Sequence, residues 1–152
     1  MKYLFLILTG SVLLACNLSD KKADSQPTEQ QELLAEKAME DSASFTTMEW
    51  LDPVKKDLGK IKKGQILELT WRFKNTGDKP LFIQNIQPAC GCTIAEEPKE
   101  PIAPGAEGLI KAQFDSNGAH GHVSKDINVT ANNKNRNNNY TNLLTFTAEV
   151  EE

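Results

Sequence analysis

From Phe45 onward the side chains repeat with a period of two, and this constrains the fold more than any other feature. Leu67, Leu69, Trp71 and Phe73 alternate with Glu68, Thr70, Arg72 and Lys74, the pattern of a strand with one buried and one wet face. The alternation returns at Ile110, Ala112 and Phe114, at Val123, Lys125, Ile127 and Val129, and at Leu144, Phe146, Ala148 and Val150. Shorter strand candidates are Phe45 to Leu51, Leu81 to Ile86 and Thr93 to Ala95. Turn-forming residues fall between them: Lys63-Gly64, Asn75-Thr76-Gly77-Asp78, Pro104-Gly105, Asn117-Gly118 and an Asn-rich stretch from Asn132 to Asn139. About seven short strands in about 105 residues predict an all-β fold, a single immunoglobulin-like antiparallel β-sandwich over residues 45–152. The Asn-rich stretch reads as an exposed hairpin loop.

The chain ahead of this domain has two parts. It starts MKYLFLILTGSVLLAC, with one positive charge at Lys2 and then an uncharged, mostly apolar run to Ala15. A helix needs ~20 residues to cross the hydrocarbon core of a membrane, and this run is too short, so residues 1–15 read as a signal segment. Leu13-Leu14-Ala15-Cys16 puts Leu at minus three, Ala at minus one and Cys next. That order resembles the lipobox of bacterial lipoproteins. The resemblance implies cleavage between Ala15 and Cys16, a thioether-linked diacylglycerol on Cys16 and commonly an N-acyl chain, so the membrane is a partner through this lipid. Asn17 stands where an inner-membrane-retained lipoprotein commonly carries Asp, which favours an outer-membrane destination.

Residues 16–44 read as a lipidated N-terminus and tether. Asn17 to Ser44 is polar and nearly free of aromatic and β-branched residues, too poor in apolar surface to offset the entropy of ordering. Within it, Thr28 and Gln31 resemble a capping box. Glu29 to Glu40, rich in Glu, Gln, Leu and Ala, favours a short helix. Loss of Lys2 with the signal segment takes the formal charge from −4 to about −5 with no basic block, which argues against nucleic acid as a partner.

Several turn and strand motifs recur in a set order. They are Asp57-Leu58-Gly59-Lys60-Ile61 with Gly64, Asn75-Thr76-Gly77-Asp78 with Pro80-Leu81, and Cys90-Gly91-Cys92-Thr93. Pro104-Gly105 with Gly108 and Gly121 with Lys125 to Thr130 complete the set. In this order and spacing, from about residue 50 to 150, the chain resembles the bacterial domain-of-unknown-function family 1573. That family is akin to major-sperm-protein-type and hydin-type immunoglobulin-like domains and common in lipoproteins of Bacteroidetes. The resemblance supports the sandwich and implies no reaction. Within it Asn75, Gly77, Gly91, Pro104, Gly105 and Gly121 carry structural roles, the glycines supplying positive φ in turns and Asn75 satisfying turn backbone.

Cys90-Gly91-Cys92 is the sharpest local feature. Two thiols one residue apart can close a small disulfide ring, bind a soft metal or simply pack. In an extended strand they share a face, and Gly91 must bend for a bridge to close. The two histidines, His120 and His122, form a second one-apart pair. With Cys90 and Cys92 they offer four ligands of the right type for zinc or copper if the fold brings them together. Glu96, Glu97 and Glu100 read as a solvated face, and Trp50 and Trp71 as core or core-edge residues. The sequence contains no nucleophile with an evident base and orienter and no phosphate-cradling loop. It implies no cofactor and no small-molecule substrate. The expected function is a non-enzymatic envelope lipoprotein whose domain meets a protein partner; the alternative is a thiol redox or soft-metal protein working through Cys90 and Cys92.

Overall fold

The computed structural model describes residues 29–133 and 141–152. The signal segment, Cys16 and residues 134–140 lie outside them. The order of elements is α1 (Glu29–Glu40), a short 3-10 turn (Ser42–Ser44), β1 (Met48–Trp50), β2 (Lys55–Lys62), β3 (Ile66–Asn75), β4 (Ile83–Pro88), β5 (Thr93–Glu96), β6 (Glu107–Asp115), β7 (Gly121–Ala131) and β8 (Thr141–Glu151).

The strands form two four-stranded sheets, β1-β3-β6-β5 and β2-β8-β7-β4. The alternation read from the sequence decides which residues meet between them. Leu69, Trp71 and Phe73 of β3 and Ile110 and Phe114 of β6 face Ile127 and Val129 of β7 and Leu144 and Phe146 of β8, all buried. Phe114 and Phe146 touch across the two sheets, ring centroids 5.2 Å apart. Trp50 closes the side of the core edge-on to Phe73, at 5.7 Å. Each such large side chain contributes about 1.5–3 kcal/mol by leaving water.

The described residues hold eight strands, in keeping with the about seven expected, and one expectation needs correction: the sandwich is not antiparallel throughout, since β2 pairs in parallel with β8. After β1 the chain crosses at Asp52-Pro53 from one sheet to the other without reversing, so β2 continues in the direction of β1. β2 escapes the periodicity because its register shifts between Asp57 and Lys60, where Gly59 adopts φ +64°. That bulge puts Leu58 and Ile61 against the same core although they are three residues apart.

The helix spans Glu29–Glu40, and its second half is packed rather than free. Ala38 is buried and α1 lies against β4. Asp41 caps the 3-10 turn by accepting a bond from the Ala43 N–H at 2.9 Å. Ser44 is tied to Asn132, whose Nδ2 donates to the Ser44 carbonyl at 2.8 Å. The Asn-rich stretch is corrected as well. Asn132 and Asn133 are fully and nearly fully buried, the Asn132 amide bonding the backbone of other loops and Asn133 Oδ1 accepting from the Asn142 side chain at 3.1 Å.

Candidate functional site

One end of the sandwich is organised by buried asparagines. The Asn75 side chain, at the end of β3, has no solvent exposure. Its Oδ1 accepts from the Thr46 hydroxyl at 2.9 Å and the Gly77 N–H at 3.2 Å. Its Nδ2 donates to the carbonyls of Lys79 at 2.7 Å and Ile102 at 2.9 Å. The backbone of Asn75 accepts from the Gly105 N–H at 2.9 Å and donates to the Ala106 carbonyl at 3.0 Å. One residue thus joins the segment before β1, the turn after β3 and the Pro104-Gly105 turn. Asn132 repeats the device: Oδ1 accepts from Phe82 N–H at 2.7 Å, and Nδ2 donates to Ser44 and Pro80 carbonyls at 2.8 and 3.0 Å.

The glycine roles divide. Gly105 (φ +77°) and Gly121 (φ +61°) sit in the left-handed region that favours glycine. Gly77 is required for space instead, since a Cβ there would collide with the Thr46 hydroxyl and come within 2.7 Å of the Thr47 nitrogen. Gly91 has neither constraint: its φ is not positive and a Cβ would meet nothing within 4 Å.

Cys90 and Cys92 are joined by a disulfide, with Cα atoms 5.3 Å apart. They sit in the turn between β4 and β5 that carries the chain from one sheet to the other, not in an extended strand. The turn is closed by a bond from Thr93 N–H to the Cys90 carbonyl at 3.2 Å, and fastened to β6 where Asp115 N–H meets the Cys92 carbonyl at 3.0 Å. With so few residues in the ring, the bridge removes little entropy from the unfolded chain. Cys90→Ser with Cys92→Ser is expected to lower stability in urea denaturation by only about 1–2 kcal/mol and to preserve the fold.

The histidines are not brought into a ligand set with the cysteines. His120 is exposed in the β6–β7 loop, and His122 lies 3.7 Å from Glu149, its partner across the β7–β8 ladder. Among the described residues no three His, Cys, Asp or Glu side chains converge, and the joined sulfurs offer no thiolate. The redox and soft-metal alternative gains no support from this arrangement.

The outer surface is charged and locally paired. Asp52 and Arg72 form a two-pronged pair at 2.9–3.4 Å, and Asp52 also accepts from the Arg72 N–H at 2.8 Å. The Arg72 side chain, then its backbone N–H, hold the Asp52 carboxyl below the usual carboxylate range. Lys56 reaches across the sandwich to the Thr70 carbonyl at 2.7 Å, its ammonium 5.3 Å from the centre of the buried Trp71 ring. A cleft of about 230 Å³ separates α1 from the loop after β5, with Glu32 and Glu36 on one wall and Glu97 and Glu100 on the other. Partial desolvation, then the charge of Glu32, raise the Glu97 carboxyl above its ordinary value, so the expected solvated face is in part a contact with the helix.

A family model described as protein of unknown function (DUF1573) matches residues 48–150. The chain belongs to this family. Parts of several solved structures are similar to it. A protein of unknown function from Porphyromonas gingivalis W83 is 18% identical with a TM-score of 0.60, the alignment covering 72% of this chain and 49% of that one. This chain therefore spans about half the length of that relative. The ASH/PapD-like domain 7 of human CEP192 is 9% identical with a TM-score of 0.56, over 72% of this chain and 88% of that domain. The Vibrio cholerae VesB protease shares 9% identity with a TM-score of 0.53, over 68% of this chain and 32% of that one. At these identities the likeness shows the immunoglobulin-like, PapD-like fold. No curated protein matches the chain.

Sequence reasoning missed Thr46, Ser116 and Asn132. Ser116 is fully buried at the opposite end of the sandwich, its hydroxyl accepting from Gln65 N–H at 2.9 Å and lying 2.8 Å from the Lys62 carbonyl. A lone Ser in a polar loop carries no signal of that role. For Asn132 the only cue is its position directly after the last apolar residue of β7.

Proposed function

We propose that this chain is a lipid-anchored bacterial envelope lipoprotein that presents one immunoglobulin-like domain as a non-catalytic protein-binding module, at the outer membrane. The observation that carries the reading is where the domain places its polar chemistry. The buried side chains Asn75, Asn132 and Ser116 bond loop to loop, leaving strand faces and strand edges as the surface turned outward. Such surfaces suit protein contact through shape and backbone pairing. The leader supports the location: Leu13-Leu14-Ala15-Cys16 directs lipid to Cys16, and two or more acyl chains, at about 0.8 kcal/mol per buried methylene, hold a protein persistently at a bilayer.

The anchor is tested by metabolic labelling with an alkyne fatty acid. The wild-type chain is expected to take up label and sediment with membranes, and Cys16→Ala to lose both; a labelled Cys16→Ala protein sinks the reading. The binding role is tested by photo-crosslinking residues placed one at a time across both sheets in membranes. A discrete protein adduct at neighbouring positions supports it, and silence over both sheets overturns it.

A further inference from the structure

Among the described residues the sandwich has four strand edges, guarded to different degrees. A bare edge presents unpaired N–H and C=O groups to any passing strand, and proteins blunt such edges with lysines, prolines, bulges or a covering element. β2 carries Lys55, Lys56, Lys60 and Lys62 and a bulge at Gly59. β4 has an irregular register between Ile83 and Asn85, ends in Pro88 and is overlaid by α1. β1 is three residues long and is followed, after Leu51 and Asp52, by Pro53. β5 shares that shortness, being four residues long with Pro98 two residues beyond its end, but it carries no lysine, bulge or covering element. Thr93-Ile94-Ala95-Glu96 pairs with β6 in unbroken register, contains no Lys or Pro, and leaves Ile94 65% exposed.

The direction of its backbone follows from the turn that precedes it. Asp115 N–H bonds the Cys92 carbonyl, so in the alternation of an antiparallel ladder Cys92, Ile94 and Glu96 turn their backbone groups to β6. Ala95 turns its own away from it. Beside this free edge the outer face holds a recess of about 270 Å³ whose wall includes Glu68, Thr70, Ile94, Glu96, Lys111 and Gln113. Two carboxylates, Glu68 and Glu96, stand against one cation, Lys111, in this recess, an excess of negative charge that selects a basic partner.

We propose that β5 is a strand-addition site. An extended segment of another protein pairs with the backbone of Ala95 and lengthens the β1-β3-β6-β5 sheet, setting an apolar side chain on Ile94 and, two residues away on the same face, a Lys or Arg beside Glu96 and Glu68. This rests on the protein-binding reading above and names the surface and the chemistry of the partner.

Ala95→Pro tests it directly. Proline at an edge position whose N–H faces outward costs β6 nothing but denies the added strand its donor. The probe is a blocked octapeptide, Thr-Val-Thr-Lys-Thr-Val-Thr-Lys, titrated against the full chain, with the same peptide carrying Glu for Lys as comparison. The Lys peptide is expected to bind at least tenfold more tightly than the Glu peptide. Ala95→Pro should lose at least tenfold of that affinity while keeping the wild-type circular dichroism. Ile94→Lys, which leaves the backbone untouched, should lose at least as much and stands in for Ala95→Pro if that variant misfolds. Equal binding of the two peptides, or wild-type affinity in both variants, overturns the proposal. So does a chain dimer in sedimentation that Ala95→Pro disperses, since that gives the edge to a second copy. If the peptide fails while crosslinks at other positions still yield a partner, strand addition at β5 is refuted and the protein-binding reading stands.

Discussion

Asn75→Ala is expected to destabilise the protein by about 3–5 kcal/mol, read as a lowered denaturation midpoint at unchanged slope. The substitution removes little apolar contact, so the loss is a polar one. It strands the Thr46 hydroxyl and the Gly77 N–H beside a residue with no solvent exposure, removes the bond to the Lys79 carbonyl, and leaves the Ile102 carbonyl only its bond from Leu81 N–H. A buried group without its partner costs roughly 1–3 kcal/mol, and several are lost at once. Asn75→Asp separates geometry from donor count. The shape is kept, yet an ionised carboxylate would face two carbonyls with no proton to offer, so Asp is expected to be no better than Ala at neutral pH and to recover part of the loss in acid. A cost near zero for Asn75→Ala would mean that this end of the sandwich is not held by the amide.

Gly108→Val is expected to cost about 2–3 kcal/mol, against the direction that local preference gives. Val is favoured over Gly in a strand, and by propensity alone the change should stabilise β6. Phe73 lies directly opposite Gly108 in the β3–β6 ladder, and its ring covers the glycine so closely that a Cβ would collide with three ring atoms. The ring has no room to retreat, being fully buried and packed edge-on against Trp50. Phe73→Leu shortens the obstacle, so Gly108→Val should cost less in that background than in wild type. Independent, additive effects of the two changes would show that the ring is not the cause.

The two cases mark a boundary in what could be read without coordinates. Trp71, Phe73, Ile110, Phe114, Ile127 and Phe146 announce their burial by alternation, because a strand with one wet face must repeat every second residue. The helix over Glu29–Glu40 is legible from composition. β2 is not legible, because four lysines, an aspartate and a bulged glycine mask its two core residues, Leu58 and Ile61. Nor is Gly108, whose requirement for a missing side chain comes from a residue 35 positions earlier in the chain.

The candidate site follows the same division. Cys90-Gly91-Cys92 was visible as a pair, but three outcomes remained open, and only the crossing from β4 to β5 made it a bridged turn. His120 and His122 had suitable chemistry and the wrong neighbours: one points into solvent and the other pairs with Glu149. β5 looks like any short strand in the sequence. Whether a strand is interior or at an edge, and whether that edge is guarded, is a property of the sheet order.

By itself, then, the sequence determined the all-β class, the positions of most strands and turns, and the core residues of β3, β6, β7 and β8. These are local matters, written in side-chain period, turn chemistry and the order of charge and apolarity. The tertiary structure alone decided the parallel β2, the loops gathered on Asn75 and Asn132, the separation of the histidines from the cysteines, and the bare edge at β5. Each of these joins residues distant along the chain, and the energies involved arise only when such residues are packed together away from water.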